Sequence, residues 1–345
     1  MIYLTRNISD SLNQFIFKSN PDKVFLLCDA ETLKYCMPKL KVNFPYQTLT
    51  VVQGEACKSM QTCMDLWIEL AEKGATRKSL LICLGGGSLC DLGGFVATTY
   101  QRGMKLCFLP TTLLCMVDAG IGGKNGINLN GLKNYIGTFR LPETVLIYPD
   151  WLITLPEEEW YNGKAEIIKH ALLSENHWNR IQQHGFPEKD DLDSWSVIIK
   201  DNFCFKESII TADFTENNIR AQLNFGHTAA HAMEYLYAVK GNALAHGLAV
   251  AAGMMIETHA ALKMRLCSAE LYASVKSVVL SLFDKVEYSE EDIETLNRAA
   301  MKDKKSGNGD IVCSVISEIG HPIEPKVIPK NIMTEAWQDY IHETV

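Results

Sequence analysis

Ser79-Leu-Leu-Ile-Cys-Leu-Gly85-Gly-Gly87-Ser-Leu-Cys-Asp91-Leu-Gly-Gly-Phe95 starts as an apolar run, turns through three glycines and continues at helix length. Glycine lets a backbone approach a phosphate group closely, and the start of the following helix offers free N–H groups and a positive dipole. The pattern is not Gly-x-Gly-x-x-Gly, and three glycines also make an ordinary tight turn. Similar apolar runs surround it, at Lys23–Cys28, Thr48–Val52, Lys105–Leu109 and Thr144–Ile147. Between them lie helix-length segments such as Lys58–Lys73 and Gly93–Tyr100. Strands alternating with helices predict right-handed crossovers and a mainly parallel sheet covered on both faces. The first half is therefore expected to be α/β. Pro110-Thr111-Thr112 follows the run after the glycines, which puts its hydroxyls on the same carboxyl edge of the sheet.

From Trp151 the pattern changes. Pro156 and three glutamates open a helix in the favoured order, with acidic groups at the positive end. Residues 163–184, 191–213, 224–239, 246–266 and 268–283 carry helical periodicity, and Ile311–Ile316 reads as a weak strand. A boundary near residue 150 is expected, giving an α/β domain over 1–150 and a mainly α-helical domain over 151–345. A cleft between two such halves is a natural place for a cofactor and a substrate.

The composition narrows the function classes. A chain of 345 residues with 47% hydrophobic and 21% charged residues is ordinary for a globular protein of two domains. A net charge of −8 argues against general nucleic-acid binding. No apolar run has the length of a membrane span. Residues 1–20 lack a charged segment followed by an apolar one, so no signal peptide is expected. Eleven cysteines without paired spacing suggest reduced thiols and a cytoplasmic setting.

Chemistry concentrates in four places. Asn224-Phe-Gly-His227-Thr-Ala-Ala-His231 and Ala245-His246-Gly247 supply three imidazoles, two of them four apart on one helical face. Such a pair is often only solvated or satisfied in a core, but a carboxylate from elsewhere would complete a metal site. Glu166, in Gly163-Lys-Ala-Glu166-Ile-Ile-Lys169, is the candidate carboxylate, although Glu and Lys three apart commonly form a plain ion pair. Asp118-Ala-Gly-Ile-Gly-Gly123-Lys124-Asn125-Gly126 and Lys133-Asn134 are glycine-rich loops carrying lysines, suited to anionic oxygens. Lys206, Asp213, Glu216, Arg220 and Asn224 lead into the histidines and suggest a polar pocket.

Taken in order along the chain, these motifs resemble those of the 3-dehydroquinate synthases, within the sugar phosphate cyclases. The resemblance runs through Gly54-Glu55 with Lys58, Gly85–Gly87 with Asp91, Gly94-Phe95-Val96-Ala97, Arg102-Gly103 and Pro110-Thr-Thr-Leu-Leu114. It continues through Gly122-Gly-Lys124, Lys133-Asn134, Ala165-Glu166 with Lys169, Asn224-Phe-Gly-His-Thr228, His246-Gly247 and Asp303-Lys304-Lys305.

The resemblance implies a Rossmann-like first domain, a helical second domain, NAD, a divalent metal (Zn2+ or Co2+) and a small sugar phosphate as substrate. It puts the metal on Glu166, His227 and His246. NAD positions are Asp29, Glu55, Lys58, Gly85, Gly86, Gly87, Asp91, Thr111, Thr112, Lys133 and Thr154. Substrate positions are Arg102, Asn134, Lys169, Lys206, Arg220, Asn224 and Lys304. His231, Glu216, Lys124 and Asp118 fall among the catalytic groups, with His231 and Glu216 handling protons. Arg102 is expected to reach a neighbouring subunit's site, which implies a homodimer. The implied reaction turns 3-deoxy-D-arabino-heptulosonate 7-phosphate into 3-dehydroquinate and phosphate, with NAD recycled in each turnover, in the shikimate pathway to aromatic amino acids. Three departures stand out. Ala119-Gly120 replaces two usual serines, Phe214 and Asn218 replace the glutamate and glycine of a usual Asp-Glu-x-Glu-x-Gly, and Leu248 replaces a usual glutamate after His-Gly. The rivals are cyclases making inosose or valiolone rings, a glycerol dehydrogenase-like enzyme whose metal site usually begins with aspartate, and an inactive NAD-binding protein.

Overall fold

The computed structural model describes residues 1–129, 132–302 and 310–343. The elements follow in order: β1 (Ile2–Leu4), α1 (Ile8–Ser19), β2 (Val24–Cys28), α2 (Ala30–Tyr35), β3 (Tyr46–Thr50), α3 (Met60–Glu72), β4 (Leu80–Gly85), α4 (Gly87–Thr99), β5 (Lys105–Pro110), β6 (Lys124–Leu129), β7 (Leu132–Phe139) and β8 (Thr144–Ile147). Helices then dominate: α5 (Glu157–Leu172), α6 (Glu175–His184), α7 (Leu192–Ala212), α8 (His227–Val239), α9 (His246–Lys263), α10 (Ala269–Leu282) and α11 (Ile293–Met301). Short strands β9 (Ile311–Cys313), β10 (Ile316–Glu318), β11 (His321–Pro322) and β12 (Lys326–Ile328) precede α12 (Lys330–His342). The chain divides into two compact units, one of Met1–Trp160 with Pro187–Ser208, the other of Tyr161–Phe186 with Ile209–Val345.

The first unit holds a sheet of order β1-β8-β5-β4-β2-β3, and all of its pairings are parallel. Its strands are buried along their whole length in β2, β4 and β8, which is why they read as unbroken apolar runs rather than alternations. Ile8, Leu12 and Ile16 of α1 pack with Leu26, Leu80, Ile82, Leu109 and Leu146 in one core, closed by Trp151. The expected strands are all present, with β3 shifted two residues toward the N-terminus. β1 was too short to register, and the glycine-rich stretch after Gly123 is an antiparallel hairpin, β6–β7, rather than a loop. Gly126 pairs with Gly137 there, and a side-chain carbon on Gly137 would fall 2.6 Å from the Asn125 carbonyl.

In the second unit, the expected helix over 163–184 is two helices broken near Ser174, and the strand read at Ile311–Ile316 splits between β9 and β10. α9 is buried over most of its length, and its small residues let α8 come very close. Gly226 begins α8 with φ +80, a conformation that favours glycine. A side-chain carbon on Gly253 would lie 2.0 Å from the Gly226 carbonyl oxygen and 3.1 Å from Ala230 N. No helix among the described residues is long and apolar enough to cross a membrane.

The Gly226–Gly253 contact sets the spacing of α8 and α9. Gly253→Ala is expected to force them apart and lower stability by about 2 kcal/mol or more, read from the urea midpoint. An unchanged midpoint would show that the approach is not a close-packed constraint.

Candidate active site

β2, β4 and β5 are neighbours and end at Cys28, Gly85 and Pro110. Asp29, Gly85–Gly87 and Thr111–Thr112 therefore share one carboxyl edge, where open parallel sheets bind ligands. The glycine turn is tightly enclosed. A side-chain carbon at Gly86 would lie 3.0 Å from Thr112 Cγ2, and one at Gly87 would lie 3.0 Å from Ala119 Cβ. No side chain caps α4 at its Gly86 start, and uncapped first-turn amides are the kind of group that anions use. Asp29 caps α2, its Oδ1 accepting from Thr32 N at 2.8 Å and Thr32 Oγ1 at 2.9 Å.

Lys58 is the hub of a polar network in this unit. Its Nζ donates to Asp91 Oδ2 at 2.8 Å and to Asn134 Oδ1, with Glu55 Oε1 at 3.7 Å. Glu55 also accepts from Ser88 Oγ at 2.8 Å and Asn128 Nδ2 at 2.8 Å. Asn134, held at φ +50, donates its N–H to Asn128 Oδ1 at 2.8 Å. Burial opposes the Lys58 charge, but Asp91 and Glu55 outweigh it and raise the ammonium above its ordinary range. Residues that the resemblance implies for NAD and for substrate thus share one network.

Asp118 lies in a single turn of π-helix, Cys115–Ala119, a form that often marks functional positions. Lys206 pairs with its carboxylate and donates to its carbonyl at 2.9 Å. Lys124 and Lys133 are exposed on β6 and β7. Arg102 is exposed at φ +66, between Gln101 at φ +48 and Gly103 at φ +117. Thr154 closes a short helical turn and donates to the Trp151 carbonyl at 3.2 Å. Lys304 lies outside the described residues.

The second unit gathers the histidines. Glu166 and Lys169, one turn apart on α5, form an ion pair, each with only 2% of its side chain exposed. Glu166 Oε1 lies 3.5 Å from His227 Nε2 at the start of α8 and 3.5 Å from His246 Nε2 at the start of α9. One ligand atom from each of the three lies within 4.8 Å of the others. A tetrahedral ion with ligands at about 2.0–2.1 Å needs donor–donor edges of roughly 3.3–3.4 Å, so this carboxylate and these two imidazoles fit a divalent metal. The outer ring nitrogens agree. His227 Nδ1 faces the Phe225 carbonyl at 3.2 Å, and His246 Nδ1 faces Glu234 Oε1 at 3.2 Å. Each Nδ1–H donates outward and leaves Nε2 toward Glu166.

The two rings differ in charge. Burial, helped by the Lys169 ammonium, pushes His227 down to about 4. Burial also opposes the charge on His246, but Glu166 and Glu234 outweigh it and raise the ring to about 10. His231 is exposed on α8, its ring 5.7 Å from that of His227. Just before α8, Asp213 accepts from the backbone of Asn217, Asn218 and Arg220, at 3.0, 2.8 and 3.0 Å. Arg220 donates to the Phe214 carbonyl, and Asn224 donates to Glu216, which sits at φ +63.

Sequence reasoning missed three residues here. Asn162 Oδ1 accepts from Gly247 N at 2.7 Å, and a side-chain carbon at Gly247 would fall 2.5 Å from Asn162 Cα, which explains the glycine after His246. Glu234 holds His246. Glu257, fully buried, accepts from Gly226 N and Ala229 N, both at 2.9 Å. A lone acid in the apolar run of α9 was the available signal, because a buried carboxylate must find partners.

Residues 48–162 match the family model for the 3-dehydroquinate synthase N-terminal domain, and residues 163–306 match that for its C-terminal domain. The curated 3-dehydroquinate synthase of Pyrococcus furiosus is 42% identical over 322 residues, covering 90% of each chain. That of Parabacteroides distasonis is 33% identical over 327 residues, covering 92% of this chain and 91% of the relative. Among solved structures, 2-epi-5-epi-valiolone synthase from Streptomyces hygroscopicus subsp. jinggangensis, with NAD+ and Zn2+ bound, has a TM-score of 0.87 at 22% identity, covering 99% and 96% of the two chains. A 2-deoxy-scyllo-inosose synthase complexed with carbaglucose-6-phosphate, NAD+ and Co2+ has a TM-score of 0.85 at 21% identity, covering 98% and 96%. A probable glycerol dehydrogenase from Sinorhizobium meliloti shares the fold at 0.70 and 14% identity, covering 99% and 96%.

A metal entering between Glu166 and the two imidazoles must displace the His246 proton. Loading at pH 7 is therefore expected to release about one proton per ion, measured calorimetrically in buffers of different ionisation enthalpy. Because the ring titrates near 10, affinity should rise about tenfold per unit from pH 7 to 9, in competition with a chelator. A flat profile would remove His246 from the set.

Proposed function

The chain belongs to the 3-dehydroquinate synthase family, and from that premise we propose that it converts 3-deoxy-D-arabino-heptulosonate 7-phosphate to 3-dehydroquinate and phosphate, with NAD recycled and a divalent ion, Zn2+ or Co2+, held by the enzyme. The observation that carries the metal-dependent reading is Glu166 Oε1, 3.5 Å from the Nε2 atoms of both His227 and His246. Identity to 3-dehydroquinate synthases over most of the chain supports this substrate over those of the inosose and valiolone cyclases.

A bound ion would polarise substrate hydroxyls, and NAD would take up and return a hydride. The protein's own residues divide the remaining work. Glu166, His227 and His246 would hold the ion, and a set of three protein donors is one that leaves coordination open for substrate. The Gly85–Gly87 turn and the first amides of α4 would receive the NAD diphosphate, with Asp91, Thr111 and Thr112 as further NAD positions. Asp29, Glu55, Lys58, Lys133 and Thr154 complete the nucleotide positions, so the first domain is the NAD-binding one. Lys169, Lys206, Arg220, Asn134, Asn224 and Lys304 bind the substrate, the cations offsetting its phosphate and carboxylate. Lys124 and Asp118 sit beside the reacting carbons, with Lys206 fixing the Asp118 carboxylate. His231, exposed beside His227, exchanges protons with the substrate, and Glu216 assists it. Arg102 serves a second subunit's site in a homodimer that works in the cytoplasm.

Purified protein given NAD, metal and the heptulosonate phosphate is expected to release one phosphate per dehydroquinate with no net NADH. Steady NADH accumulation would instead favour a dehydrogenase, and no phosphate release would sink the assignment. His246→Ala is expected to lose its metal by elemental analysis after dialysis, and parental metal content would overturn the ligand set.

A further inference from the structure

α8 and α9 each carry one histidine of the proposed metal site, and each helix sends a buried carboxylate to the other's start. Glu257, eleven residues into α9, is completely buried. Its Oε2 accepts from Gly226 N and its Oε1 from Ala229 N, both at 2.9 Å. These amides flank His227 in the first turn of α8, so Glu257 supplies from α9 the cap that no residue preceding α8 provides. A carboxylate is also the charge that a helix start favours. In return Glu234, on α8 and 7% exposed, accepts from His246 Nδ1 at 3.2 Å at the start of α9. The close approach of Gly253 to Gly226 leaves no slack between these two links.

We propose that Glu234 and Glu257 are positioning residues that fix the two histidines at the separation a divalent ion requires. Glu257 holds the turn that carries His227, and Glu234 sets the ring orientation of His246. This rests on the metal reading of Glu166, His227 and His246. Glu257 reaches the turn that carries His227, and Glu234 reaches the His246 ring. They act through the histidines, by removing the rotations and small helix shifts that would spread the donors apart.

The readout is metal binding by the full-length protein, without turnover. Metal-free protein is titrated with Co2+, and affinity is taken from chelator competition and geometry from the visible d–d spectrum. Glu257→Gln keeps the shape but faces one backbone N–H with another N–H. Glu234→Ala removes the acceptor. Each is expected to weaken Co2+ binding about tenfold to a hundredfold and to alter the spectrum. Glu234→Gln, whose carbonyl oxygen can still accept from Nδ1–H, is expected to recover most of the affinity. Tyr340→Phe is the control for general destabilisation, because it strips Val286 N of a hydroxyl acceptor at 3.0 Å on another helix. It should lower the melting temperature and leave Co2+ affinity unchanged. Parental Co2+ affinity in Glu257→Gln and Glu234→Ala would overturn the proposal, as would an equal loss in Tyr340→Phe. His246→Ala separates the two levels. If it binds Co2+ like the parent, the metal reading falls. If it loses Co2+ while the glutamate variants keep it, only the positioning role falls.

Discussion

Glu166 is a carboxylate taken out of water, and a buried charge is tolerable only when opposite charges and hydrogen bonds surround it. Most of what the second unit arranges around it follows from that requirement. Lys169 comes from the same helix one turn away, and His227 and His246 come from two others. Without a metal, the neutral His227 and the cationic His246 share the task unequally. The same carboxylate that raises His246 is the group that would hold an ion in place of its proton. The site is thus a competition between one proton and one divalent cation for the space beside Oε1.

The first unit depends on a steric constraint instead. Its glycine turn is closed in by Thr112 and Ala119, leaving the backbone amides as what the turn can present. The Lys58 network ties that turn, through Asp91 and Ser88, to the β6–β7 hairpin through Asn128 and Asn134. Groups read from sequence as cofactor-binding and substrate-binding are linked by direct hydrogen bonds.

The sequence revealed the sheet because β2, β4 and β8 are buried along their length and read as unbroken apolar runs. β1 has three residues, too few to show a pattern, and the hairpin was concealed by Gly126 and Gly137, which look like loop residues but face each other in the ladder. The pattern changes near residue 150, whereas contacts divide the chain after Trp160 and return Pro187–Ser208 to the first unit. Local periodicity cannot show that return, because α5 and α7 each contain residues of both units. The histidines and Glu166 were visible by type and spacing. Glu257 showed only as a lone acid in an apolar run and Glu234 not at all, because their partners appear only once two helices are side by side.

Ala119 and Gly120, where the resemblance implies two serines, lie in closely packed backbone. A side-chain carbon at Gly120 would lie 2.7 Å from the Cys115 carbonyl, the acceptor for Gly120 N in the π-turn at 2.9 Å. Ala119 Cβ is the atom that a side-chain carbon on Gly87 would meet, at 3.0 Å. A side chain at Gly120 would push on the π-turn, and one at Gly87 would push on Ala119. The tight turn and the small residues are therefore one mutual adjustment. It presents Asp118, braced by Lys206 at both its carboxylate and its carbonyl, as the fixed polar group of that segment.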